Sequence, residues 1–389
     1  MADYRYLIVG GGMTAHAAAA GIREVDAAGT LGLVGDDPNP PYLRPPLSKG
    51  VWTGKPLETI WLPAVPGLAL HTGRRAVALD VRARRVLDDR GEAYGYERLL
   101  LATGGRPRRL PFGGERVVYF RTLGDFRRLR AVEGLRAAVI GGGFIGSEIA
   151  AALAQNGKEV TLLFPDAGIG ARIFPADLSA AVTAVYRERG VQVLAGERVT
   201  AVEPRGAETT VVRTASGQEV HANVVVAGIG IEPDIALAEA AGLDVEDGIL
   251  VDEGLRTSAP DVFAAGDVAR FPSAALGERT RVEHEDAALS MGRAAGRAMA
   301  GAGEPYRHLP SFYSDLFDLG YEAVGDLDST LETVSSWKVP FREGVVYYLR
   351  DGRVRGVLLW NTWGQVDAAR ELVSRGEPAR RDDLLHALP

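Results

Sequence analysis

Gly141, Gly143 and Gly146, in the stretch AVIGGGFIGSE, have the types and spacing for phosphate chemistry. In a G-x-G-x-x-G pattern the first glycine permits a tight turn and the second lets backbone approach a pyrophosphate. The third lets the following helix pack closely on the preceding strand. Gly142, Phe144 and Ile145 complete the turn, whose helix would offer free N–H groups and a partial positive charge to an anion. Gly10-Gly11-Gly12-Met13-Thr14-Ala15 repeats the pattern as G-x-G-x-x-A near the start of the chain.

Acids follow both turns. Asp36, with Asp37 as second candidate, stands where a dinucleotide-binding unit hydrogen-bonds a ribose. Asp36-Asp37-Pro38 also reads as a capped turn. Asp166 sits two residues beyond the usual place, which Phe164 occupies, and no arginine replaces it there. This favours NAD(H) over NADP(H), with Arg172 close enough in sequence to weaken the preference.

Arg44 and Lys49 lie in the proline-rich PYLRPPLSK, read as a rigid loop in which arginine suits a pyrophosphate and lysine a cofactor ring. DVFAAGD delivers Gly266 and Asp267 from a short apolar strand, and Asp267 could accept from a ribityl hydroxyl. The sequence contains no cysteine, which excludes disulfide redox chemistry, thiolate catalysis and cysteine-bound metal. Its six histidines show no metal-ligand spacing.

The elements that must position these residues are legible around them. Strands are expected at 4–9 and 30–34 about a helix at 14–25, and at 137–140 and 159–164 about a helix from Phe144 that stops at Asn156-Gly157. Alternating strands at 71–87 lead to a buried strand breaking at Ala102-Thr103-Gly104-Gly105, then Arg121 and a helix at 124–131. Strands at 192–195, 199–203, 209–214 and 224–226 precede Gly228-Ile229-Gly230. A long helix opens in RVEHED (Arg281 to Asp286) and runs to Met299. Strands at 330–338, 345–349 and 354–360 and a helix at 366–374 close the chain.

At 389 residues the chain suggests two or three domains, and 46% hydrophobic with 24% charged residues is ordinary for a globular protein. A net charge of −7 argues against nucleic acid as a partner. Arginine clusters at 82–85, 106–109 and 127–130 are the places to look for an acidic protein partner. No apolar run reaches membrane-span length and the first strand begins near Met1, so a cytoplasmic protein is expected.

Taken together, LRPPLSK, LLATGG, GGGFIGSE, LLFPDAG, FAAGD, RVEHEDAA, YSDLFDLGYEAVG and YYLRDGRVRGVLLWN resemble the two-dinucleotide-fold flavoprotein reductases from Tyr4 to about Gly376. The chain looks most like the apoptosis-inducing-factor branch, then the ferredoxin reductases of Rieske oxygenases. The resemblance implies an α/β fold with two Rossmann-like, glutathione-reductase-like domains and a C-terminal α+β domain. FAD would occupy residues 1–111 and 238–304, NAD(H) residues 112–237, and the C-terminal domain residues 305–389.

The resemblance also implies site roles. Gly10 to Ala15 would cradle the FAD pyrophosphate, Asp36 bind its ribose and Arg44 neutralise phosphate charge. Thr103, Gly104, Arg121, Gly266 and Asp267 would contact FAD, and His284 would lie against the flavin. Lys49 would stand beside the flavin, paired with Glu148 on the first turn of the NAD helix. Gly142, Gly143, Phe144, Ile145, Asp166, Arg172, Gly230, Glu283, His284, Glu322 and Asn361 would contact NAD(H), and Phe144 would cover the flavin until nicotinamide displaces it. Glu285 stands where relatives have a second histidine, and Tyr313 where they have tryptophan.

The activity implied is hydride transfer from NADH to FAD and onward electron transfer without a redox disulfide, to a small molecule or a protein such as ferredoxin. Two other readings accompany it: a ferredoxin or rubredoxin reductase of an oxygenase system, and an NADH-sensing switch with a stable charge-transfer complex and an NADH-dependent dimer.

Overall fold

Leu31–Gly35 is buried at every position and Ala2–Val9 throughout its second half, as strands covered on both faces must be. They belong to a computed structural model that describes residues 2–206 and 208–388. The chain divides into two compact units. The first comprises Met1–Leu43, Glu58–Arg106 and Glu232–Phe312; the second comprises Arg44–Leu57, Pro107–Ile231 and Tyr313–Pro389.

In the first unit the strand order is Leu68–Thr72, Leu31–Gly35, Ala2–Val9, Ala93–Leu101, Arg85–Asp88, Ala76–Asp80, and Val262–Ala264 also pairs with Ala93–Leu101. Ala2–Val9 runs parallel to both neighbours, with Val9 opposite Val34 and Leu101, so the two glycine-bearing strand ends emerge side by side. Helices Met13–Arg23 and Glu285–Met299 pack at backbone distance. A Cβ on Gly296 would lie 2.1 Å from the carbonyl oxygen of Ala18, and one on Gly292 would lie 2.4 Å from that of Thr14. Only glycine allows that approach.

The second unit holds a five-stranded parallel sheet in the order Gln192–Ala195, Glu159–Phe164, Arg136–Ile140, Val224–Ala227, Val117–Tyr119. Val199–Arg205, Thr209–Thr214 and Glu219–Ala222 form an antiparallel sheet. Among the described residues no helix is long and apolar enough to cross a membrane. The expected mixed α/β architecture with parallel sheets is present.

Several local expectations need correction. The proline-rich segment contains a 3₁₀ turn, Pro45–Ser48: proline at its first positions has the required φ and no N–H to lose. A helix, Ala176–Glu188, and a strand, Glu219–Ala222, were not anticipated. The C-terminal sheet has five strands, in the order Ser311–Leu316, Leu319–Gly325, Arg353–Trp360, Glu343–Arg350, Glu332–Val339. Its first two strands escaped notice because a two-residue turn joins them, with Phe317 rather than glycine at positive φ (62°).

Candidate functional site

Two candidate-site glycines of the first unit, Gly10 and Gly266, are fixed by clashes that any side chain would create. Gly10 has φ +132°, and a Cβ there would lie 2.0 Å from the carbonyl oxygen of Ala102. Gly12 is the extended N-cap of the helix that begins at Met13, with no side-chain cap, so that helix start keeps donors available. Thr14 and Ala15 are buried, and Gly266 (φ +76°) packs on the hydroxyl end of Thr14.

The two candidate acids separate. Asp37 accepts from Asn39 N, Asn39 Nδ2 and Tyr42 Oη at 2.7–2.9 Å, so the capped-turn reading applies to it. Asp36 is exposed at the strand end. Thr103 and Gly104 are tied to Asp234: Thr103 Oγ1 donates to its carbonyl at 2.8 Å, and its N–H donates to the Gly104 carbonyl at 2.9 Å. Asp267 lies in the turn Gly266–Val268, where its carbonyl accepts from Arg281, whose guanidinium also pairs with Glu283 at 2.8 Å. His284 stacks on Phe312 with centroids 4.3 Å apart, and its Nδ1 is buried with no hydrogen-bond partner among the described residues. Burial pushes its imidazole down to about 4, so it is neutral at ordinary pH.

The second unit repeats the glycine logic. A Cβ on Gly146 would sit 1.9 Å from the Gly141 carbonyl oxygen, one on Gly141 (φ +116°) 2.3 Å from that of Gly228, and one on Gly142 against the Phe164 ring. Gly143 differs, because a Cβ there would meet nothing within 4 Å. Phe144, first residue of the helix Phe144–Gln155, is 39% exposed, while Ile145 is half-buried.

Glu148 lies on the second turn of that helix, one turn later than expected, and is buried. Its Oε1 is 2.7 Å from Lys49 Nζ and accepts from Ser314 Oγ at 2.6 Å; its Oε2 accepts from Ser48 Oγ at 2.6 Å. The Lys49 ammonium also lies 5.1 Å from the Tyr313 ring centroid. Lys49, Glu148 and Tyr313 are thus brought together, and the two serines are partners that sequence reasoning missed. They adjoin Lys49 and Tyr313 in the chain, which was the available signal. Behind Glu148, burial first and the Glu148 charge second raise the Tyr186 and Tyr321 phenols well above their ordinary value.

Asp166 stands beyond the strand Glu159–Phe164, with Arg172 Nε 3.7 Å from its carboxylate. Gly230 has φ +95° and its carbonyl accepts from Arg108 N. Arg44 heads the 3₁₀ turn, and Arg121 directly precedes a capping box made by Thr122 and Asp125. Glu322 accepts from Gly364 N at 3.1 Å. Asn361 accepts from Gly320 N and donates to the Arg342 carbonyl, so its amide clamps the C-terminal sheet. Elsewhere in this unit Val51, Leu57, Phe126, Arg127, Arg130 and Ala131 line an open cavity of about 450 Å³.

Residues 4–292 match the family described as pyridine nucleotide-disulphide oxidoreductase. Residues 295–340 and 338–375 match the C-terminal domain of mitochondrion-associated apoptosis-inducing factor. The chain is 36% identical over 386 residues to the ferredoxin–NAD(+) reductase component of the anthranilate 1,2-dioxygenase system of Burkholderia cepacia, covering 95% of this chain and 94% of the relative. It is 31% identical to mitochondrial apoptosis-inducing factor 1 of Dictyostelium discoideum, covering 95% of this chain and 78% of the relative. Putidaredoxin reductase, solved in covalent complex with putidaredoxin, superposes with a TM-score of 0.91 at 32% identity, covering 99% and 96% of the two chains. The chain therefore belongs to the pyridine nucleotide-disulphide oxidoreductase family, as an FAD-dependent NAD(P)H oxidoreductase whose sequence has no cysteine to form the disulphide of the family's name.

Proposed function

We propose that the chain takes electrons from NADH through FAD and hands them on to a small ferredoxin-type carrier. The observation that carries this reading is the buried ion pair of Lys49, at the end of the 3₁₀ turn Pro45–Ser48, with Glu148 on the helix Phe144–Gln155. The residues present fit two dinucleotides. The empty space at the Cβ position of Gly143 leaves room for a pyrophosphate, and the partnerless Nδ1 of His284 suits a polar cofactor atom.

When bound, FAD supplies the step from a two-electron hydride donor to one-electron transfers. In our reading the turn from Gly10 to Ala15, with Arg44, holds its pyrophosphate, and Asp36 accepts from its adenosine ribose. Thr103, Gly104, Arg121, Gly266 and Asp267 orient the rest, and His284 packs as a neutral ring against the isoalloxazine. Lys49 presents positive charge to the cofactor, and Glu148 fixes where that ammonium points. Gly141 to Gly146 hold the NADH pyrophosphate, with Gly230, Glu283, Glu322 and Asn361 as further contacts. The exposed Phe144 ring shields the site from water until nicotinamide displaces it.

NADH is preferred over NADPH because the Asp166 carboxylate would repel a 2′-phosphate. The ferredoxin-type acceptor is supported by the likeness to the Burkholderia ferredoxin–NAD(+) reductase component and to putidaredoxin reductase, solved with putidaredoxin.

Anaerobic stopped-flow reduction of the holoenzyme by NADH and by NADPH, followed by mixing with a ferredoxin, tests each part. Faster bleaching with NADH and rapid reoxidation by the ferredoxin are expected. Equal rates with both nucleotides would overturn the preference, and a ferredoxin that leaves the enzyme reduced would overturn the acceptor.

A further inference from the structure

Asp36 is exposed, and its place in the fold is set through the backbone on either side of it. The carbonyl of Gly35 accepts from Arg74 N at 2.9 Å, and the carbonyl of Asp37 accepts from Gly73 N at 3.0 Å. The Gly73 and Arg74 turn continues the strand Leu68–Thr72, which pairs in parallel with Leu31–Gly35, and Gly73 takes positive φ (62°). One short turn therefore grips the carbonyls of the two residues on either side of the acid.

That turn is held from its far side. Arg90 Nη2 donates to the Gly73 carbonyl at 2.9 Å, and Arg74 Nη1 donates to Asp88 Oδ2 at 3.1 Å. The Asp88 side chain is fully buried. Its Oδ1 accepts from Arg90 N and Glu92 N at 2.9 and 2.8 Å, and its Oδ2 also accepts from Tyr94 Oη at 2.9 Å. Burial opposes the charge, but the Glu92, Arg90, Tyr94 and Arg74 donors outweigh it and hold this carboxyl below the usual range. A buried anion with this many donors has one geometry, and it passes that geometry to Arg74 and Arg90.

We propose that Asp88, acting through Arg74, Arg90 and the Gly73 and Arg74 turn, is a positioning residue that fixes Asp36 for the adenosine ribose of FAD. The inference rests on the ribose role assigned to Asp36 above. A carboxylate that receives a ribose hydroxyl must be held within a fraction of an ångström, and an exposed side chain at a strand end needs its backbone locked to achieve that.

The test uses Arg74→Met, which removes the link but leaves Asp88 its backbone and tyrosine donors, with Asp88→Asn as a second variant. FAD release from the full-length holoenzyme is followed by flavin fluorescence, and FAD and FMN are then titrated into the stripped protein. FMN carries the isoalloxazine and ribityl chain but no adenosine. Arg74→Met is expected to weaken FAD about tenfold while leaving FMN unchanged, and to add nothing in an Asp36→Ala background. Equal weakening of FAD and FMN, or no change in FAD, would overturn the clamp while leaving the ribose role intact. An Asp36→Ala variant that binds FAD as tightly as the parent would instead remove the ribose role, and the clamp with it.

Discussion

Lys49 and Glu148 meet at 2.7 Å with the lysine largely and the glutamate almost wholly shielded from water, and the carboxylate accepts two serine hydroxyls besides. Removing one partner strands the other in a poorly solvated place. Glu148→Ala is therefore expected to cost about 3–5 kcal/mol in urea unfolding. A Lys49→Met, Glu148→Gln double variant should lose less than the sum of its single changes. Lys49→Met should also slow flavin reduction by NADH at least about tenfold, measured by stopped flow. An unchanged rate would reduce the pair to a structural tie.

Two glycines of one motif should respond oppositely. Ala at 146 drives a methyl into the Gly141 carbonyl and should cost about 3 kcal/mol or prevent accumulation of folded protein. Ala at 143 meets open space on a backbone (φ −87°, ψ −166°) that alanine can adopt, so stability should stay within about 0.5 kcal/mol. If that space receives the dinucleotide, the same change should raise KM for NADH about tenfold. Thermal melts and steady-state kinetics on the two variants separate packing from binding.

His284 sets an acid limit on the flavin-free protein. Its folded value, about 4, lies below the ordinary 6.5, so the unfolded chain binds the extra proton first as pH falls. Its contribution is complete above pH 6.5 and is lost between there and pH 4, at most about 3 kcal/mol in total. His284→Gln should flatten that part of the stability profile, measured by urea titration at successive pH values.

Arg127 and Arg130 flank an apolar-floored cavity, and Arg130 is held over the Trp52 ring at 5.1 Å with a hydrogen bond to Asn156 Oδ1. On a chain of net charge −7 such a patch would orient an acidic carrier. Reversing both to Glu should raise KM for the carrier and blunt its salt dependence, with KM for NADH unchanged.

What could be read from sequence was local. Glu159–Phe164 falls where its apolar run ends, and the helix beginning at Phe144 stops at Asn156-Gly157 because short-range chemistry dictates both. The preference for Asp36 over Asp37 was read from position alone, and the hydrogen bonds by which Asn39 and Tyr42 claim the Asp37 carboxylate were beyond such reading. Ser314 reaches Glu148 across 166 positions, a distance at which no spacing rule operates. The strands Ser311–Leu316 and Leu319–Gly325 hid behind a turn with phenylalanine where glycine is the usual marker.

The glycine-to-carbonyl seam joining Met13–Arg23 to Glu285–Met299 also governs how the protein is born. The helix that follows the first glycine turn can pack on its own strands early but lacks its helical partner until the ribosome has passed residue 299, while the parallel sheet within 107–231 is complete well before. At about 5–20 residues per second, the amino-terminal strands wait on the order of ten seconds or more for their closing helix. Translation therefore delivers the second unit's parallel sheet first, and the first unit's helix pair can close only late in synthesis.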